Sequence, residues 1–106
     1  AEKELIKPGG ENVYPAEVEK TISEHPAIEA TVVIGVPDPK WKEGIKAVCV
    51  LKEGETLDAQ ALINFVGERI ARYKKPRYVE FVIELPLLED GAVDREKVKD
   101  LYGGDQ

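Results

Sequence analysis

The chain has 106 residues, 42% of them hydrophobic and 34% charged, with a net charge of −6. That length suits one domain with a core of its own, and the composition is that of a folded globular protein rather than a disordered segment. The acidic balance argues against nucleic acid as a partner, because such binding rests on cations set against phosphates. No apolar run approaches the length of a membrane span, so no membrane partner is expected either.

The first stretch of interest is "IKPGGENVYPAEVE", which places Lys7, Pro8, Gly9 and Gly10 directly before a helix start. Pro15 suits a first helical turn, where its missing N–H costs nothing, and Glu17 and Glu19 suit the dipole there. Val18 and Ile22 give that helix one apolar edge, and Pro26 ends it by disfavouring helical geometry at His25. "ATVVIGV", residues 30–36, is β-branched and nearly all apolar, so it reads as a central strand. "PDPKWKEG" follows as a loop, and residues 45–52 form a second strand ended by Gly54. Thr56 or Asp58 caps the next helix, where Leu62, Phe65, Val66 and Ile70 recur at helical spacing. That helix is expected to run to "YKKP", with Arg72, Lys74 and Lys75 at its negative end.

"RYVEFVIEL" alternates Val79, Phe81 and Ile83 against Glu80, Val82 and Glu84, the pattern of a half-exposed strand. "PLLEDGAV" is a turn-rich loop, and "DREKVKDLYGG" a last short helix capped by Asp94 and closed by glycines. The expected fold is therefore α+β: a small sheet of about three strands with helices packed on it.

Little in the chain carries chemistry by itself. His25 is the only histidine and sits beside a proline at a helix end, where it reads as a solvated or capping side chain. One Cys and one His far apart do not make a metal site, so none is expected. Cys49, the single cysteine, lies in an apolar run and reads as a buried structural thiol in a reducing, cytoplasmic compartment. Two readings of "KPGGEN" stay open on composition: a plain turn, or a loop whose glycines let backbone approach a ligand while Lys7 meets an anion. The start "AEKELIK" lacks a methionine, and the chain is expected to be a piece of something longer.

Taken in order, "KELIKPGGENVYPAEVE", "HPAIEATVVIGVPDPKWKEGIKAVCVLKEGE", "YKKPRYVEFV" and the spaced "LP…DG…DR…VK" resemble one family over essentially the whole chain. It is the C-terminal domain of adenylate-forming enzymes: acyl-CoA synthetases, aryl-CoA ligases, luciferases and peptide-synthetase adenylation domains. The resemblance implies that residues 1–106 are the small mobile domain of an AMP-forming acyl-CoA synthetase, its N-terminal domain absent. The whole enzyme would use ATP, Mg²⁺, coenzyme A and a carboxylic acid, whereas the isolated piece would catalyse nothing. Such domains swing between an adenylating and a thioester-forming orientation. By the resemblance Lys7 and Asn12 contact the adenylate, and Asn12 stands where some members have glutamine. Gly9, Gly10 and Glu11 line the tunnel of the CoA pantetheine arm, and Lys3 is the hinge.

The basic turn "YKKPR" has a family reading as charge near the domain interface or the CoA phosphates. It has an equally good one as charge complementing a helix end. Trp41 is expected to pack over the sheet edge. In one respect the chain departs from the pattern. Gly91 and Arg95 align with the family's last motif, but Ala92 occupies the position of its lysine, which bridges ATP phosphate and the acyl carboxylate. Three explanations are open: a substitute such as Lys97 or Lys99, a subgroup that manages without, or an introduced change. Two alternative functions accompany them, a regulatory or binding module that lost adenylation and an adenylation domain loading a carrier-protein thiol.

Overall fold

The computed structural model describes residues 5–106. Helix α1 spans Pro15–Ser23, with Pro15 in its first turn, and buries Val18, Thr21 and Ile22. Strands β1 (Ile28–Asp38) and β2 (Lys42–Leu51) form an antiparallel hairpin. Helix α2 (Ala59–Gly67) carries the chain across to β3 (Tyr78–Phe81), which pairs parallel with β2. A helical crossover is what a parallel neighbour requires. Helix α3 (Arg95–Tyr102) closes the chain, capped by the Asp94 side chain accepting from the Lys97 N–H at 3.1 Å. The α+β fold with three strands and three helices agrees with the expectation.

Several boundaries differ. The sheet order is β1-β2-β3, so β2 is central and the apolar run of β1 lies at an edge. An apolar run reports two covered faces, not a central position. Val33 points into one core with Ile45, Ala47, Cys49, α1 and α2, while Val32, Ile34 and Val36 point into a second with Val48 and Val98 of α3. The open edge of β1 is blunted by side chains. Glu19 Oε2 accepts the Val33 N–H at 2.8 Å, Arg95 donates to the Val33 carbonyl at 3.2 Å, and Arg95 pairs with Glu19 at 2.9 Å.

The expected loop "PDPKWKEG" is mostly strand, since pairing continues to Asp38↔Lys42 around a tight turn. Helix α2 stops at Gly67, short of "YKKP". There the Arg69 guanidinium takes the Phe65 carbonyl at 2.9 Å, so Arg69 is the cation at that helix end, and Arg72 and Lys74 lie on a separate 3-10 turn. Asp58 is the cap, accepting from the Ala61 N–H at 2.8 Å. Strand β3 ends at Phe81 because only Lys46–Cys49 of β2 is matched by it, which leaves Ile83 95% exposed.

Candidate functional site

The glycine loop is a closed structure. Buried Ile6 and Val13 pair across its neck, with N–H to carbonyl distances of 2.9 and 2.8 Å. Between them Pro8–Gly10 makes one 3-10 turn, with Gly9 at φ 58° and Gly10 at φ 88°. Both values lie in the left-handed region that favours glycine. The loop leans on the β1–β2 turn: the Lys7 N–H donates to Glu43 Oε1 at 2.7 Å, and the Gly9 N–H to the Trp41 carbonyl at 3.2 Å. A Cβ at Gly9 would stand 2.8 Å from the Trp41 ring, whereas one at Gly10 would meet nothing. Trp41 thus packs on the glycine loop at the end of the sheet, not over the sheet edge, because the tight turn carries it there.

Lys7, Gly9, Gly10, Glu11 and Asn12 are all exposed on this loop. Among the described residues neither the Lys7 ammonium nor the Asn12 carboxamide has a partner. Lys3, the expected hinge, lies outside the described residues.

Beside the loop runs a cleft of about 610 Å³. It is lined by Pro8, Gly9 and Trp41, by Ile45 of β2, by Ile63 of α2, and by Arg72, Lys75 and Arg77 of the basic turn. Two cations of the basic turn, Lys74 outside the cleft and Arg77 lining it, are already engaged. Lys74 holds Glu17 of α1 at 2.9 Å, and that carboxylate raises the Lys74 pKa. Arg77 pairs with buried Asp38 at 3.0 Å. Asp38 also accepts the Tyr78 hydroxyl at 2.6 Å and the N–H groups of Lys40 and Trp41 at 2.8 and 2.9 Å. The Tyr78 bond is the largest cause holding its carboxyl below the ordinary value, followed by the two backbone donors and Arg77, while burial opposes them. The same bond raises the Tyr78 pKa. Arg72 and Lys75 are exposed, with no ionic partner among the described residues.

Ala92 lies elsewhere. It is exposed at the tip of a hairpin closed by the Leu87–Val93 bridge, where the Leu88 N–H donates to the Ala92 carbonyl at 2.7 Å and the Ala92 N–H to Asp90 Oδ1 at 2.9 Å. Gly91 there has φ 91°. The hairpin is rooted through Val93 in the α3-side core, and the glycine loop through Ile6 and Val13 in the α1/α2-side core. The two motifs therefore sit on opposite faces of one sheet, and the structure does not bring them together. Cys49 is buried, and burial pushes its thiol up to about 11 against a smaller opposing bond from Thr31. His25 accepts the Ala27 N–H at Nδ1 and meets Phe65 edge-on, a structural placement.

The parts of this site that sequence reasoning missed are Glu43 and Asp38. Both stand at strand ends in a segment that reads as loop, and only a polar residue flanking a tight turn marks them.

A family model described as the AMP-binding enzyme C-terminal domain matches residues 17–91, more than half of the chain. The chain belongs to the AMP-binding enzyme C-terminal domain family. It is 44% identical over 101 residues to a feruloyl-CoA synthase of an Amycolatopsis species, covering 95% of this chain and 21% of that protein. It is 46% identical over 99 residues to an indoleacetate–CoA ligase of Aromatoleum aromaticum, covering 93% and 19%. The ATP-bound structure of MatB from Rhodopseudomonas palustris superimposes with a TM-score of 0.91 at 36% identity, over 96% of this chain and 20% of that one. This AMP-binding C-terminal domain thus spans about a fifth of the length of the relatives it matches. Among its described residues no helix is long and apolar enough to cross a membrane.

Proposed function

We propose that this AMP-binding C-terminal domain is the mobile part of an AMP-forming acyl-CoA synthetase whose N-terminal domain, in the same protein, holds the ATP and acyl pockets. The observation that carries the reading is the placement of the two motifs on opposite faces of one sheet. A rigid unit so built can offer only one of them at a time to a fixed neighbouring site, and must turn over to offer the other. The overall reaction is conversion of a carboxylic acid, ATP and coenzyme A into acyl-CoA, AMP and pyrophosphate.

On the glycine-loop face, Gly9 lets the loop close on Trp41, and the open side of Gly10 leaves room for a slender thiol arm beside Glu11; the cleft, with Arg72 and Lys75 lacking ionic partners among the described residues, suits an anionic ligand. Lys7 and Asn12, without side-chain partners among the described residues, would meet the phosphate and sugar of an adenylate. Lys3 is assigned to the hinge. Among the described residues no group of three or more His, Cys, Asp or Glu side chains is arranged to hold a metal. In this reading Mg²⁺ is held with ATP by the N-terminal domain.

On the other face, Ala92 supplies neither charge nor hydrogen bond where the family's lysine would stabilise the developing charge of adenylation. Removing one such group typically slows a reaction about 100- to 1000-fold. The test uses the full-length parent as isolated and with Ala92→Lys, following AMP formation and thioester formation separately over short, long and aromatic acids. The reading expects the lysine form to gain adenylation while thioester formation from supplied acyl-adenylate stays unchanged. Absence of adenylate from both forms would favour a regulatory module that kept the fold.

A further inference from the structure

The turn between β1 and β2 aims two acceptors at the glycine loop, and its backbone is bent to do so. Lys42 has φ 68°, the one non-glycine residue with positive φ among the described residues. It stands between Trp41, whose carbonyl takes the Gly9 N–H, and Glu43, whose carboxylate takes the Lys7 N–H at 2.7 Å. A lysine held in the left-handed region is strained, so the surrounding contacts must over-determine it.

The Glu43 side chain reaches the loop because β1 makes room for it. A Cβ on Gly35 would collide with the Glu43 carboxylate, so the carboxylate lies flat across the backbone of β1 before meeting Lys7. The bond joins residues 36 positions apart and is charge-assisted. It fastens the loop at Lys7, and the Trp41 carbonyl fastens it two residues later, so the Lys7–Gly9 backbone has one shape relative to the sheet.

We propose that Glu43 is a positioning residue for the glycine loop, acting through the Lys7 N–H, with Lys42 and Gly35 shaping the turn that aims it. Its consequence for catalysis rests on the reading above, in which the loop serves the thiol step. Without the latch the loop remains closed at Ile6–Val13 but its tip is free to move, and misplacement of a site by about 1 Å can cost about 100-fold in rate.

Two measurements test this. The first is amide hydrogen exchange by NMR on the chain itself, with Glu43→Ala, Glu43→Gln and Gly35→Ala. Loss of one such bond should speed exchange at Lys7 about tenfold in Glu43→Ala. Gly35→Ala should reproduce that by displacing the carboxylate. Glu43→Gln, which keeps an acceptor oxygen but not the charge, should speed exchange clearly less than Glu43→Ala. Unchanged Lys7 exchange in Glu43→Ala overturns the proposal, and so does equal loss in Glu43→Gln and Glu43→Ala.

The second compares half-reactions in a full-length ligase carrying this chain. Glu43→Ala should slow thioester formation from supplied acyl-adenylate about tenfold, leave adenylation unchanged, and be partly rescued by glutamine. Equal loss in both half-reactions would mean a merely structural residue and overturn the proposal. A loop that loosens in exchange while thioester formation holds upholds the latch and instead contradicts the thiol reading of the loop.

Discussion

Replacing Gly9 by alanine tests whether the glycine loop is built as described. At φ 58° alanine enters the left-handed region, which costs an L-residue about 1–2 kcal/mol. The smaller conformational freedom of unfolded alanine returns about 0.4–1 kcal/mol. The new Cβ would also stand 2.8 and 3.1 Å from two carbons of the Trp41 ring, well inside ordinary van der Waals contact. Trp41 is 41% exposed, so its ring can swing outwards, giving up its packing on the loop rather than resisting. Together these leave a net loss of about 1–2 kcal/mol, or a fall in Tm of about 5–10 °C for a domain this size. Thermal and urea unfolding of the purified chain would measure it. Gly10→Ala is the control, since φ is 88° there but no atom lies within 4 Å of the added Cβ. Part of the Gly9→Ala loss should therefore vanish in a Trp41→Ala background, whereas the Gly10→Ala loss, set by backbone strain at φ 88°, should be the same with and without Trp41. A Gly9→Ala loss unaffected by removal of Trp41 would refute the contact.

Lys42→Gly should relieve the left-handed strain and raise Tm by a few degrees, about 0.5–1 kcal/mol, whereas Lys42→Val should lower it; the same unfolding assays decide. Asp38 is held below its ordinary value of 3.8 by the Tyr78 hydroxyl above all, so its contribution is fully present above that pH and is lost as pH falls through the lower folded value. Acid unfolding of Asp38→Asn should accordingly be flatter below pH 4 than that of the parent, and parallel curves would contradict the network. Cys49, raised from 9.0 to about 11 and buried, should carry about a hundredfold less thiolate at pH 8 than an unfolded thiol and label slowly with thiol reagents until denatured. Because its folded pKa is the higher one, stability should fall as pH rises from 9 to 11, and Cys49→Ala should remove that part of the fall.

How far the sequence could be read follows from the reach of each signal. Helix α1 was legible because Pro15, Glu17 and the Val18/Ile22 spacing are local statements about one helix start. The existence of β1 and β2 was legible from β-branched apolar runs, yet their order in the sheet was not. Burial on both faces of β1 comes from α1 on one side and α3 on the other, and no local pattern distinguishes that from a central position. The end of α2 was misread because Ile70 keeps helical spacing, and its N–H still bonds Val66 as the chain leaves the helix. Strand β3 is short because pairing with β2 limits it, a property of a distant segment. At the site, the glycine loop was marked by its own residues, whereas Glu43 is recognisable only once Lys7, 36 positions away, is seen against it.

The central claim is that two loops on opposite faces of this domain serve two different half-reactions. It is tested most directly in the full-length ligase, by measuring adenylation and thioester formation separately for Ala92→Lys and Gly10→Leu. Gly10 suits the comparison because a Cβ added there has no atom of the domain within 4 Å. Ala92→Lys should raise adenylation alone, and Gly10→Leu should lower thioester formation alone. A substitution that moves both half-reactions by the same factor would contradict the claim.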